Sequence, residues 1–248
     1  MRVEDINFFY INCKIDSIKN ENILLQWEKC CKIYNKNIPI NRRDAVHYND
    51  FSYPYFTECF QPEDSKIKNQ ISNIAVLKSH SNLWKYIWDN DLKYNFIFED
   101  DVIIPETFLV DLEKILNEND FINKTEKWDI IYFGILRMYC QKTKFKDFHK
   151  MLNKKGYNNG LHAYFLHKNT SGKLLNLITK IGAVNQIDIL LRDHADKFKF
   201  YVYKDLLIKQ DVDKFESTRL GRFVKDEFKI VFDEINLSNE HEQQEELK

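Results

Sequence analysis

Short apolar, aromatic-rich runs alternate along this chain with longer stretches of helical period, and that alternation restricts the fold more than any other feature. Residues 6–11, 96–98, 128–133, 162–166 and 198–203 each read as a strand, the last with the apolar–polar alternation of a half-buried one. Between them lie helical patterns. Ile23, Leu24, Trp27, Cys31 and Tyr34 form one; Val76, Leu77, Trp84, Ile87 and Trp88 mark a second over residues 74–88. Pro105 and Glu106 open a third, with Phe108, Leu109, Leu112, Ile115 and Leu116 on one face. Asn169 or Thr170 caps a fourth carrying Leu174, Leu175 and Ile178, and Ile187, Leu190 and Leu191 mark a fifth beginning near Val184. This order predicts a single α/β domain over residues 1–235, Rossmann-like, with a mostly parallel central sheet flanked by helices. Ligands bind such sheets beyond the carboxyl ends of the strands. Residues 49–69, with Pro54 and Pro62, read as irregular, residues 157–160 as a turn, and residues 236–248 as a charged C-terminal tail.

A chain of 248 residues with 44% hydrophobic and 15% aromatic content can bury a substantial core. Its formal net charge of −1 argues against a general nucleic-acid binder, so no nucleic-acid partner is expected. Cys13, Cys30, Cys31, Cys59 and Cys140 are odd in number, lack C-x-x-C spacing and include a vicinal pair; they read as reduced thiols of a cytosol-like compartment. The first residues are too acidic, and their apolar run too short, for a secretory signal. No apolar stretch approaches the ~20 residues of a membrane span, so the expectation is a soluble, cytoplasmic protein without a transmembrane segment.

One strand delivers chemistry. The run Phe96-Ile97-Phe98-Glu99-Asp100-Asp101-Val102 places three adjacent carboxylates at the end of an apolar segment. Neighbouring negative charges raise one another's pKa and destabilise a rigid element unless something positive neutralises them. A hard divalent cation does so, since carboxylate oxygens suit Mg²⁺, Mn²⁺ or Ca²⁺. If the strand ends near Glu99, the two-residue period turns Glu99 and Asp101 to one side and Asp100 to the other. Glu99 and Asp101 are therefore the candidate metal pair; a strand ending in surface polar residues is the alternative. Residues 141–155 carry Lys142, Lys144, Lys146, Lys150, Lys154 and Lys155 interleaved with Phe145, Phe148 and Met151. They read either as a basic flap closing over phosphates or as a solvated basic segment.

Several of these pieces occur together in a familiar order. The first strand ends in Ile11-Asn12; then come Arg43-Asp44-Ala45-Val46, Ser79-His80 with Leu83-Trp84, and Phe98-Glu99-Asp100-Asp101-Val102. Residues 128–131 lead to Gly134, followed by residues 160–164, Asp188 with Leu190-Leu191, Gln210 and Ser217. Over roughly the first 220 residues the chain resembles glycosyltransferase family 25, which includes bacterial lipooligosaccharide and collagen hydroxylysine galactosyltransferases. The resemblance implies a GT-A fold, a UDP-sugar donor, and a divalent metal at the acidic motif, Mn²⁺ first and Mg²⁺ as the alternative. Family members carry an Arg-containing loop after the first strand. Here that loop reads Asn12-Cys13-Lys14-Ile15-Asp16-Ser17 and offers Lys14 or Lys19, which neutralise phosphate without the bidentate fork of Arg.

The implied reaction moves a hexose, galactose or glucose, to a hydroxyl of a glycan, glycolipid or glycoprotein, with inversion. Asp101 is the expected direct metal ligand, Glu99 a second or water-mediated one, and Asp100 reaches the ribose or orients the loop. His194 or Asp211 could complete the metal shell. Asp188 matches the family's late Asp and is the candidate general base; the alternative is a helix N-terminal carboxylate. Asn12, Lys14, Arg43, Ser79 and His80 are candidates for the donor pocket. Arg43 paired with Asp44 and a buried, backbone-satisfied His80 are the plain alternatives. A rival of a different class is a catalytically silent scaffold that binds nucleotide-sugar or glycan.

Overall fold

The computed structural model describes residues 1–47, 65–153, 160–181, 186–211, 214 and 229–232, with 65–70 and 229–232 as backbone only. The strands are β1 (Asn7–Asn12), β2 (Ile40–Asp44), β3 (Tyr94–Glu99), β4 (Val102–Ile103), β5 (Ile130–Gly134), β6 (Arg137–Gln141), β7 (Phe148–Met151), β8 (Ala163–His167), β9 (Phe200–Tyr203), β10 (Lys209–Gln210) and β11 (Lys229–Phe232). The helices are α1 (Ser17–Tyr34), α2 (Ser65–Asp89), α3 (Phe108–Glu118), α4 (Asp120–Asn123), α5 (Lys168–Ile181) and α6 (Ile187–Asp193). Nine strands form one sheet in the order β11-β6-β7-β9-β5-β8-β3-β1-β2, and β4 pairs with β10 in a separate two-stranded ladder. Only β7 and β8 run against the rest of the large sheet, so the expected α/β architecture with a mostly parallel sheet is what forms.

The sheet separates two cores. On one face Phe8, Tyr10, Phe96, Phe98 and Phe133 pack against Ile23 and Trp27 of α1 and Phe108, Leu109 and Leu112 of α3. On the other, Phe9, Ile11, Ile97, Tyr132 and Tyr164 pack against Leu77, Trp84 and Ile87 of α2, Leu174 of α5 and Leu190 of α6. Consecutive residues of one strand thus enter opposite cores, which is why β1 and β3 read as continuous apolar runs. Each fully buried aromatic or branched side chain contributes about 1.5–3 kcal/mol by its removal from water.

Several sequence expectations shift. The inward seam of α1 runs through Ile23, Trp27, Cys30 and Tyr34, while Leu24 is exposed, because a 3.6-residue period carries only one of two adjacent leucine-like positions to the sheet. Helix α2 begins at Ser65, inside the segment read as irregular, and its Trp88 lies half outside the core. Strand β9 is buried along most of its length rather than half-buried, since Phe200 and Val202 enter one core and Tyr201 the other. The basic segment is anchored at both ends of its loop: Gln141 of β6 pairs with Lys150 of β7, Phe148 and Met151 are buried and the tilted Phe145 ring lies 4.2 Å from that of Phe121, while Lys142, Lys144 and Lys146 are exposed in the connection between the two strands. Pro54, Pro62, Cys59, Lys154, Lys155, residues 157–159, Val184, Ser217 and the 236–248 tail lie outside the described residues. The described cysteines, Cys13, Cys30, Cys31 and Cys140, are thiols. Among the described residues no helix is long and apolar enough to cross a membrane.

Candidate active site

Because β1, β2, β3 and β5 are co-directional, their carboxyl ends share one edge, and the start of the reversed β8 meets them there. Glu99 is the last residue of β3, Asp100 and Asp101 form the turn, and β4 follows. Asp100 and Asp101 turn to different partners. Asp100 turns towards β1 and α1, where Asn12 Nδ2 donates to Oδ2 at 2.8 Å and Lys19 Nζ donates to Oδ1 at 3.3 Å. Asp101 turns towards β10, where Gln210 Nε2 donates to Oδ2 at 2.8 Å and Asp211 N donates to the Asp101 carbonyl at 2.6 Å.

The charges of the three acids are met unequally. Burial raises the pKa of Asp100, and Lys19 and the Asn12 amide pull it back. Lys19 is 5% exposed and also lies 3.6 Å from Asp16, which caps α1. Burial opposes the Lys19 charge, yet Asp100, Asp101 and Asp16 together raise its pKa. Asp101 faces a neutral amide instead. Burial, then the nearby Glu99 charge, push its pKa up to about 6, and its Oδ1 is sealed from solvent without a hydrogen-bond partner among the described residues. A buried acceptor left in this state beside a second carboxylate fits a bound cation, which supplies the missing positive partner.

A folded-state pKa of about 6 against an ordinary 3.8 means that the Asp101 carboxyl favours folding below pH 4 and loses that contribution as pH rises through about 6. The metal-free Asp101→Asn protein should therefore match wild type near pH 4 and exceed it by on the order of 2 kcal/mol at pH 7, after partial solvent screening. Denaturant unfolding at the two pH values with chelator present measures the difference; an advantage that shrinks with rising pH would contradict it.

The start of β8 binds the other side of the triplet. Glu99 N donates to the His162 carbonyl at 2.9 Å, and the His162 imidazole is buried, which lowers its pKa to about 4 although Glu99 opposes the shift. Gly134 is required here: a Cβ would stand 2.6 Å from His162 Cδ2. Gly160, at φ +83°, donates its N–H to Asp188 Oδ2 at 3.2 Å, and Asp188 Oδ1 accepts from Ile189 N at 2.9 Å. Residues 160–162 thus link the Asp188 carboxylate to the backbone of Glu99 through one short segment.

The remaining candidates divide. His80 on α2 is 1% exposed; its Nε2 lies 3.5 Å from Glu99 Oε1 and its Nδ1 2.9 Å from Tyr164 Oη, so its neighbours are side chains and not backbone. Ser79 is committed to structure, donating to the Ala75 carbonyl at 2.7 Å and accepting from Val46 N at 2.8 Å, which pins the exit of β2 onto α2. Arg43 stacks over the Tyr86 ring at 3.7 Å, whereas Asp44 is paired by Lys14 and Arg42. Lys14 is exposed beside Asp44, and the lysine that reaches the acids is Lys19. His194 bonds the Leu190 carbonyl at the end of α6, while Asp211 joins the Asp101 turn through its backbone. His162 and Tyr164 belong to the 160–164 stretch of the family resemblance and to an expected strand, with no site role given to either. The one available signal was their place just after Gly160, since apolar neighbours give a buried imidazole or phenol no distinguishing pattern.

The family described as Glycosyltransferase family 25 (LPS biosynthesis protein) matches residues 6–191. The chain belongs to glycosyltransferase family 25. The matched span runs from the start of β1 to the body of α6 and contains Asn12, Glu99, Asp101 and Asp188; Gln210 and Asp211 fall beyond it. Solved structures similar to this family 25 member include two of comparable coverage. One is a glycosyltransferase involved in the glycosylation of the major capsid of PBCV-1, at 11% identity and TM-score 0.45, covering 86% of this chain and 94% of that one. The other is A197 from STIV, at 12% identity and TM-score 0.37, covering 83% of each. Among curated proteins none matches.

Proposed function

We propose that this glycosyltransferase moves a hexose, galactose or glucose, from a UDP-sugar to a hydroxyl of a glycan, glycolipid or glycoprotein acceptor, with a divalent metal and inversion at the anomeric carbon. The observation that carries the reading is the solvent-sealed Oδ1 of Asp101, partnerless among the described residues, beside Glu99 at the carboxyl edge of the sheet. Glu99 and Asp101 would hold the metal, Mn²⁺ or Mg²⁺. Among the described residues no three His, Cys, Asp or Glu side chains form a metal cage. Two carboxylates are compatible with a cation whose other ligands are substrate phosphate oxygens and water. When bound, such a cation offsets the negative charge that builds on the leaving diphosphate.

The chain's own groups do the rest. Lys19 and Asn12 fix Asp100 at the carboxyl end of β1, where the donor's ribose would approach. Asp188 is held by two backbone amides, and a carboxylate with about four lone-pair sites retains acceptor capacity to take the proton of an acceptor hydroxyl. Measuring UDP released from a panel of UDP-sugars, with and without Mn²⁺, tests the reading directly. Metal-dependent release with one hexose donor is the expected outcome, and release unaffected by chelator would sink the metal assignment. In parallel, UDP should raise the melting temperature only when Mn²⁺ is present.

A further inference from the structure

Three elements remote in sequence build a buried chain of polar groups behind Glu99. Trp84 Nε1 on α2 donates to Tyr164 Oη on β8 at 3.0 Å, Tyr164 Oη lies 2.9 Å from His80 Nδ1, and His80 Nε2 faces Glu99 Oε1 at 3.5 Å. All three side chains before Glu99 are essentially sealed from solvent, at 0%, 0% and 1% exposure for Trp84, Tyr164 and His80. An indole N–H can only donate, so the Tyr164 oxygen accepts from Trp84. In the tautomer in which the Tyr164 hydroxyl donates to His80 Nδ1, the imidazole proton is on Nε2, the atom turned to the carboxylate. At 3.5 Å that last approach is an N–H dipole facing a charge, longer than a closed hydrogen bond, and such contacts tighten when a site is loaded.

We propose that His80 is a positioning residue: its Nε2–H, oriented by Tyr164 and Trp84, sets the rotation of the Glu99 carboxylate so that it converges with Asp101 on one cation. This inference rests on the metal reading above. Groups that orient a ligating carboxylate from behind typically change metal affinity 10- to 100-fold when removed. The chain also gives partners to the polar atoms of Trp84, Tyr164 and His80 in a largely apolar core, where each would be costly if unpaired.

The test is titration of Mn²⁺ into the full chain with UDP and no acceptor, read as bound metal. His80→Phe and Tyr164→Phe should raise the Mn²⁺ dissociation constant about tenfold or more, whereas His80→Gln, which keeps an N–H near the Nε2 position but has no atom at Nδ1 to accept from Tyr164, should be weakened less than His80→Phe. Tyr164→Phe deletes one oxygen and keeps the ring, so it reports on the relay even if the bulkier His80→Phe change fails to fold. In turnover assays the metal concentration for half-maximal rate should rise while kcat at saturating Mn²⁺ changes little. Wild-type-like Mn²⁺ binding by Tyr164→Phe, or His80→Gln as weak as His80→Phe, would overturn the relay alone. A wild-type protein that binds no Mn²⁺ would overturn the metal reading, and the relay with it.

Discussion

Asp101→Asn should reduce metal-dependent sugar transfer by about a hundred- to a thousandfold while leaving the metal-free fold intact or firmer. The substitution is nearly isosteric, and the carbonyl of an asparagine can still accept from Gln210 Nε2, which lies 2.8 Å from Oδ2 in the native protein. What disappears is the charge. That charge is costly in the metal-free state, as its pKa of about 6 indicates, because it is buried and sits beside Glu99. The same feature that destabilises the apo protein thus favours a cation, so activity and apo stability should move in opposite directions. UDP release with saturating Mn²⁺, set beside a melting curve in chelator, measures both. Full activity in the mutant would remove Asp101 from the metal site, and loss of activity accompanied by unfolding would show that the residue serves the fold.

The second large effect belongs to Asp188. Asp188→Asn is expected to lower kcat by about 10²–10⁴, the usual contribution of a general base, with donor affinity nearly unchanged. Its two backbone contacts accept from Gly160 and Ile189, and an asparagine carbonyl can keep one of them, so the start of α6 should survive. Donor affinity is measured by equilibrium binding of UDP-sugar with Mn²⁺, and kcat at saturating donor and acceptor. Equal losses in both would make Asp188 a structural carboxylate that holds residues 160–162 in place and would exclude the base role. The contrast with Asp101 is informative, since only there should the metal requirement itself change.

Much of the fold was legible because period and burial coincide. β1, β3 and β5 are strands buried on both faces, and their unbroken apolar runs announce it; the five apolar positions named for α3 are all buried. Errors arose where local pattern and tertiary partner disagree. The lysine-rich stretch around β7 carries no strand period that sequence alone reveals, and only pairing with β6 and β9 makes Phe148 a core residue. Leu24 has the composition of a core residue and the phase of a surface one.

The site shows the same division. The acidic triplet and its two-sided presentation followed from sequence alone, since strand period and adjacency of charge are local properties: Asp100 does turn away from Asp101. Which charges are compensated was not local. Lys19 rather than Lys14 neutralises Asp100 because α1 starts directly after β1 and its first turn faces the strand ends, and Gln210 reaches Asp101 only through the β4–β10 ladder, more than a hundred residues downstream. The role of His80 likewise depends on Tyr164, brought beside it by the packing of α2 against the reversed strand β8. Sequence therefore determined the central strands and main helices, the family resemblance and the residues able to carry charge, because these depend on neighbours along the chain. Tertiary structure alone decided which of those charges is left without a partner, because compensation depends on distance and burial, and both are set by segments that meet only after folding.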